Sequence, residues 1–213
     1  AEPGDLRDRL LLVVGEHARQ HDGLAVAHGD VRLHAPGPEA GNGDAAADGD
    51  GDRLIDLRDL ALDLGLDVAA SNFYKGGKYQ IKDRKDPFST KEFIEYYKAL
   101  NEQYRLYTLE DPLHEDDWKG WSALTQELGG TTVVIGDDLL TTNKERATRG
   151  INEKSCTGIL AKPNQIGTVS QAVEVITLCK QAGWQIIVSH RSGETNDDFI
   201  ADFAVGVGAH YAK

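Results

Sequence analysis

From residue 106 onward the sequence repeats one pattern: a short apolar run closed by a polar residue, then a stretch with helical periodicity. Leu106-Tyr107-Thr108-Leu109 closes on Glu110, Thr132-Val133-Val134-Ile135-Gly136 on Asp137, Gly158-Ile159-Leu160-Ala161 on Lys162, and Gln185-Ile186-Ile187-Val188-Ser189 on His190. These closing residues stand 27, 25 and 28 positions apart, and 23 more positions reach Lys213. That spacing holds one strand and one helix, which is what a parallel sheet needs, because parallel neighbours cannot be joined by a tight hairpin. Helices are expected near 91–104, 115–128, 144–154, 168–182 and 197–205. A parallel α/β barrel delivers the last residue of every strand to one mouth. Asp67, Glu110, Asp137, Lys162, His190 and Lys213 are therefore expected to converge.

Residues 1–66 read differently. They contain 14 acids and 6 Arg but no Lys, a charge of −8, whereas the remainder carries −4 of the total −12. Leu10-Leu11-Leu12-Val13-Val14 fits either a short buried strand or one turn of a buried helix. Between Asp30 and Asp52 the chain is largely Ala, Gly, Asp and Pro. Such a stretch buries too little apolar surface to offset its backbone entropy, so it is expected as loop or disorder. The apolar positions from Leu54 to Leu64 fit a short helix. Residues 1–66 are accordingly left as an unassigned, low-complexity region, disordered or read out of frame, and 67–213 as a partial barrel. An Ala/Gly/Asp/Arg-rich, Lys-free stretch is what GC-rich DNA yields in a shifted frame, and no Met occurs even at position 1. The chain is therefore expected to be a fragment rather than an intact translation product.

Composition excludes several classes of function. The acidic balance opposes nonspecific binding to nucleic acid, which needs a basic face. No run of 18 apolar residues provides a membrane span, and no signal peptide is legible at Ala1. Two cysteines, Cys156 and Cys179, make no disulfide framework, which points to a reducing, cytoplasmic compartment.

Asp67, Glu110 and Asp137 offer oxygen ligands without companion Cys or paired His, a set that favours Mg2+ or Mn2+ over zinc. The plainer alternative, helix caps or ion-pair partners of Lys162 and Lys213, is the less favoured reading and stays open here. Lys162 lies between the acids and a second cation, Lys213; burial beside positive charge is the condition under which a lysine becomes a general base. In Ser189-His190-Arg191-Ser192-Gly193-Glu194-Thr195, Gly193 permits a sharp turn. Arg191 offers a planar fork and Ser192 a hydroxyl, which together suit a phosphate. A loop in which Arg191 pairs with Asp197 or Asp198 is the plainer alternative. Thr168 is positioned to cap the helix after Asn164-Gln165-Ile166-Gly167, and the acids of Glu115-Asp116-Asp117-Trp118 suit a helix start.

The stretch from Leu66 to Lys213 resembles enolase, the phosphopyruvate hydratase family. The matching text is Leu66-Asp67-Val68-Ala69-Ala70-Ser71, Glu110-Asp111-Pro112 with Glu115 to Trp118, and Gly136-Asp137-Asp138-Leu139 with Thr142-Asn143. It continues through Lys162-Pro163-Asn164-Gln165-Ile166-Gly167-Thr168, Ser189 to Thr195 and Phe199-Ile200-Ala201-Asp202. The resemblance implies a partial (β/α)8 TIM-like barrel of the enolase superfamily without its N-terminal capping domain, and Mg2+-dependent dehydration of 2-phosphoglycerate to phosphoenolpyruvate in glycolysis. It implies Asp67, Glu110 and Asp137 as ligands of the tighter Mg2+, Ser189 as a ligand of a second ion, and Lys162 as the base at C2. Lys213 is implied at the substrate carboxylate, with Glu110, Asp137, His190, Arg191 and Ser192 as further substrate contacts. Use of a Lys or His base with one or two Mg2+ is a general feature of enolase-superfamily sites. A homodimer is implied as well.

Three departures accompany the resemblance. Asn72 stands where the family usually has Glu, and the run Gly208-Ala209-His210-Tyr211-Ala212 before Lys213 is unusual. Residues 1–66 hold no Asp-Glu-Gly-Gly segment, which carries the family's acid for the departing hydroxide. A noncatalytic enolase-like protein that keeps the metal site, acting as a binding or structural partner, is therefore the alternative. An acid-sugar dehydratase of the same superfamily is disfavoured by the phosphate-type loop from Ser189 to Ser192.

Overall fold

The computed structural model describes residues 10–14, 62–82, 84–191 and 197–213. Most of the stretch 1–66, with its expected loop and its reading-frame question, lies outside the described residues. Seven strands form one sheet: β1 (Leu10–Val14), β2 (Leu62–Asp67), β5 (Leu106–Glu110), β6 (Val133–Gly136), β7 (Gly158–Ala161), β8 (Gln185–Val188) and β9 (Tyr211–Ala212). They lie in that order, every pair parallel. β3 (Tyr74–Lys75) and β4 (Lys78–Tyr79) make a separate antiparallel hairpin. The run Leu10–Val14 is thus a strand, in register against β2 from Leu10↔Leu62 to Val14↔Leu66. The helix expected up to Leu64 is corrected at its end, because Leu62, Asp63 and Leu64 open β2. Pairing with β1 fixes all three as strand, and Leu64 also pairs with Leu106 of β5.

The sheet is curled. β2 and β9 are five strand spacings apart in the sheet, roughly 24 Å if it lay flat. Yet Lys213 Nζ, just past β9, lies 2.8 Å from Asp67 Oδ2 at the end of β2. The two side chains span far less than the flat distance, so the strands must wrap towards a barrel. Lower in the same interior the hydroxyls of Tyr107 and Tyr211 hydrogen-bond to each other, with rings set edge to face at 5.9 Å.

Alternation along the strands sorts the core into two layers. Ile135, Leu160 and Ile187 gather with Val133 and Tyr211 inside the curl. Val134, Ile159 and Ile186 join the larger cluster beneath the helices, where Phe93, Trp121, Leu124, Ala147 and Ile176 pack. The helices are α1 (Thr90–Tyr104), α2 (Trp118–Leu128), α3 (Lys144–Glu153), the short α4 (Pro163–Ile166), α5 (Val169–Gln181) and α6 (Phe199–Gly206). Their starts are set by side chains that satisfy the first free N–H groups. Ser89 and Glu92 form a reciprocal capping box on α1, Asp117 accepts from Gly120 N at 3.0 Å, Asn143 from Arg146 N at 3.0 Å, and Thr168 from Gln171 N at 3.2 Å. No helix among the described residues is long and apolar enough to cross a membrane.

Candidate active site

From β2 onward, each strand of the sheet ends in, or is followed at once by, an ionisable or hydroxyl residue. Asp67 closes β2 and Glu110 closes β5; Asp137, Lys162, Ser189 and Lys213 follow β6, β7, β8 and β9. Parallel strands place all of these at one edge of the curled sheet. Two ammonium groups organise the acids. Lys213 Nζ lies 2.8 Å from Asp67 Oδ2 and 2.8 and 2.9 Å from the two Glu110 oxygens, and Lys162 Nζ lies 2.5 Å from Asp137 Oδ2. The ion-pair alternative is therefore realised for both lysines, at side chains at least three-quarters buried except for the slightly more open Lys213.

The electrostatics follow from that burial. Glu110 is pushed up to about 7, first by burial and then by the facing Asp67 carboxylate, against the pull of Lys213. Burial works to lower Lys213, but Glu110 and Asp67 together outweigh it and hold the ammonium above the ordinary lysine value. Burial also raises Asp137, with Lys162 opposing, and raises Asp138, with Glu115 adding to it. The cluster of Asp67, Glu110 and Asp137 against Lys162 and Lys213 thus leaves negative charge in excess.

Asp137 Oδ1 is buried with no hydrogen-bond partner. A buried carboxylate oxygen left unpaired is costly unless a cation completes it. Carboxylate oxygens of Asp111, Asp137 and Asp138 lie within 4.8 Å of one another. Asp111 is already spent: its two oxygens accept from Asp137 N at 2.9 Å and Asp138 N at 2.8 Å, so it clamps the backbone at the strand end. Burial drives this carboxyl well above the ordinary aspartate value. The oxygen-only donor set, its excess charge and the orphaned Asp137 Oδ1 fit a hard divalent cation such as Mg2+.

Beyond β8, Ser189 is buried and donates to His190 O at 2.9 Å, while His190 and Arg191 are exposed. Among the described residues, Arg191 makes no ion pair with Asp197 or Asp198. Ser192 and the rest of that loop to Asn196 lie outside the described residues. His190 N reaches Lys213 O at 3.3 Å, tying the loop base to β9. The sequence did not single out Thr142, whose buried hydroxyl accepts from Lys162 N at 2.9 Å, or Asp111 as a clamp. The signal for Asp111 was present in its place directly after Glu110, where a second acid has no room to face the same way.

An open parallel barrel that gathers buried carboxylates and lysines at the C-terminal ends of its strands is a TIM-barrel domain with its site in the usual place. The chain belongs to the enolase family: the model described as Enolase, C-terminal TIM barrel domain, matches residues 58–213. It is similar to Enolase 2 of Methanospirillum hungatei, 46% identical over 156 residues, which is 73% of this chain and 36% of that protein. It is also similar to the enolases of Elusimicrobium minutum, 48% over 152 residues (71% of this chain, 36% of the relative), and Natranaerobius thermophilus, 45% over 150 residues (70% and 35%). The chain thus spans little more than a third of the length of these relatives.

Proposed function

We propose that this barrel carries the metal-binding and proton-abstracting part of a phosphopyruvate hydratase, a lyase that dehydrates 2-phosphoglycerate to phosphoenolpyruvate. The observation that carries the reading is the convergence of Asp67, Glu110, Asp137, Lys162 and Lys213 from five different strands, with Asp137 Oδ1 buried and unpaired. Asp67, Glu110 and Asp137 would hold Mg2+, with Ser189 at a second ion. When bound, Mg2+ supplies the positive charge that offsets the negative charge developing on the substrate carboxylate.

On this reading Lys162 takes the proton from C2. Its contact with Asp137 keeps the amine aimed into the mouth until substrate arrives. Lys213, held between Asp67 and Glu110, faces the substrate carboxylate. His190 and Arg191, both exposed at the rim, with Ser192 beside them, meet the phosphate side. Cys156 and Cys179 are buried free thiols, in keeping with work in the reducing cytoplasm.

The test is phosphoenolpyruvate formation, followed by ultraviolet absorbance, on the 213-residue chain with and without Mg2+, beside Lys162→Ala. Mg2+-dependent turnover that Lys162→Ala abolishes supports the reading. Calorimetric binding of Mg2+ without any turnover would instead favour a noncatalytic enolase-like protein, the alternative that the missing Asp-Glu-Gly-Gly segment brings forward.

A further inference from the structure

The turn between β6 and α3 holds the most strained backbone near the site. Asp137 O accepts from both Leu140 N at 3.0 Å and Thr141 N at 2.7 Å, winding the chain into a tight coil directly over the strand end. The coil then unwinds through two consecutive left-handed residues, Thr141 at φ 49 and Thr142 at φ 51. For a β-branched side chain that region is a true outlier, and two in succession are held only where the surroundings over-determine them. Glycine or asparagine would have made this turn without strain.

What the strain secures is the direction of one hydroxyl. Thr142 is fully buried. Its Oγ1 accepts from Lys162 N at 2.9 Å and donates to Gln165 Oε1 at 3.1 Å. Lys162 is the residue that joins β7 to α4, and Gln165 lies within α4 itself. The same turn begins at Asp137, whose Oδ2 lies 2.5 Å from Lys162 Nζ. One short segment therefore grips Lys162 at both ends, the backbone N–H through Thr142 and the ammonium through Asp137. Gly136, just before the turn, has no room for a Cβ, which would meet Leu140 Cγ at 2.8 Å, so the coil is pressed hard onto the strand end.

We propose that Thr142 is a positioning residue for Lys162: its strained, buried hydroxyl fixes the Lys162 backbone and so sets the amine against Asp137. The inference rests on the proposed role of Lys162 as the base, and the experiment separates the two. Thr142→Val keeps the branched shape and removes the hydroxyl, and Thr142→Ser keeps the hydroxyl and removes the branch. Hydrogen exchange at the Lys162 amide and labelling of the Lys162 amine by trinitrobenzenesulfonate, both read by mass mapping, report on position without requiring turnover.

Thr142→Val is expected to speed both processes at Lys162 by about tenfold, the scale of one lost hydrogen bond, while the amides of Ile159 in β7 and Ile186 in β8 stay unchanged. Thr142→Ser restores the parent rates. In the turnover assay Thr142→Val lowers kcat and leaves KM within about twofold, the pattern of a displaced reacting group rather than lost ground-state binding. Equal Lys162 exchange and labelling in the Val variant and the parent overturns the proposal, as does a uniform rise at Ile159 and Ile186, which would mark general destabilisation. If Lys162→Ala retains turnover, the role of Lys162 as base fails, while the exchange and labelling comparison still decides the role of Thr142.

Discussion

Replacing Lys213 by Met tests whether the two lysines hold the mouth together. The ammonium at position 213 is the shared partner of Asp67 and Glu110, at 2.8 Å from each. Met fills a similar volume but leaves both carboxylates facing each other with no cation. Glu110 is hardly exposed, at 6% of its side chain, whereas Lys213 keeps 26%. Stripping one partner from a fully buried pair costs ~3–5 kcal/mol. Because Lys213 retains a quarter of its exposure and Asp67 about a fifth, solvent screening reduces this, and about 2–3 kcal/mol is the expected loss.

Urea unfolding followed by the fluorescence of Trp118, Trp121 and Trp184 reads that loss as a fall in midpoint at constant slope. Glu110 already sits at about 7 with Lys213 pulling it down, so in Lys213→Met it takes up a proton near neutral pH and the penalty grows as pH rises. Glu110→Gln added to Lys213→Met should recover more than half of the loss measured at alkaline pH. Saturating Mg2+ should also shrink the penalty, because a cation at the same carboxylates takes over the neutralisation. A Lys213→Met midpoint equal to the parent would refute the argument, and so would an additive double variant with no recovery.

His210 supplies the pH dependence. Its Nδ1 accepts from Ile186 N at 2.9 Å, and burial, with Lys180 adding, holds its pKa below the ordinary histidine value. A depressed folded pKa means that the unfolded chain binds the proton more readily, so this contribution is present above about 6.5 and fades as pH falls below it. His210→Asn, which keeps an acceptor without titrating there, should remove the loss of stability that sets in as pH falls below about 6.5, leaving the opposite slope that the raised Glu110 imposes. A slope equal to the parent's would count against the assignment. Cys179 is pushed up to about 12 by burial, and burial raises Cys156 as well. Ellman's reagent at pH 8 should therefore find both thiols inert in the folded chain and both reactive in denaturant. Gly136→Ala forces a Cβ to 2.8 Å from Leu140 Cγ. It should cost ~1–3 kcal/mol by the same urea assay, with partial relief on adding Leu140→Ala.

The strand–helix repeat was legible because each apolar run ends abruptly in a residue that no core would hold. The expected runs over 106–110, 132–136, 158–161 and 185–189 are β5 to β8, and Thr168 caps α5 as its position foretold; α2, expected from 115, starts at Trp118 with Asp117 as its cap. The family resemblance was carried by the same strand ends. β9 was hidden because it is two residues long and follows Gly208-Ala209, so no apolar run announces it; His210 and Lys213 fasten it through backbone bonds to β8. Leu10–Val14 offered five apolar residues without any period, which cannot separate strand from buried helix. The hairpin of β3 and β4 did carry a signal, Gly76-Gly77, both at positive φ, which the turn between two tyrosine-bearing strands requires. Thr142 was part of the matching text but could be given no role, since its importance lies in a backbone conformation that threonine ordinarily avoids.

The contact of Lys213 with Asp67 joins residues 146 positions apart. Closing so long a loop costs only about 1.5 kcal/mol more than closing one strand–helix unit, because the entropy grows with the logarithm of length. Its weight falls on timing instead. Local units can form early, but the charged mouth exists only once every intervening strand is in place, and contacts of such separation are the slow ones in folding. The ion pair of Lys213 with Asp67 and Glu110 is therefore a reporter of a late event in folding, the wrapping of the sheet upon itself.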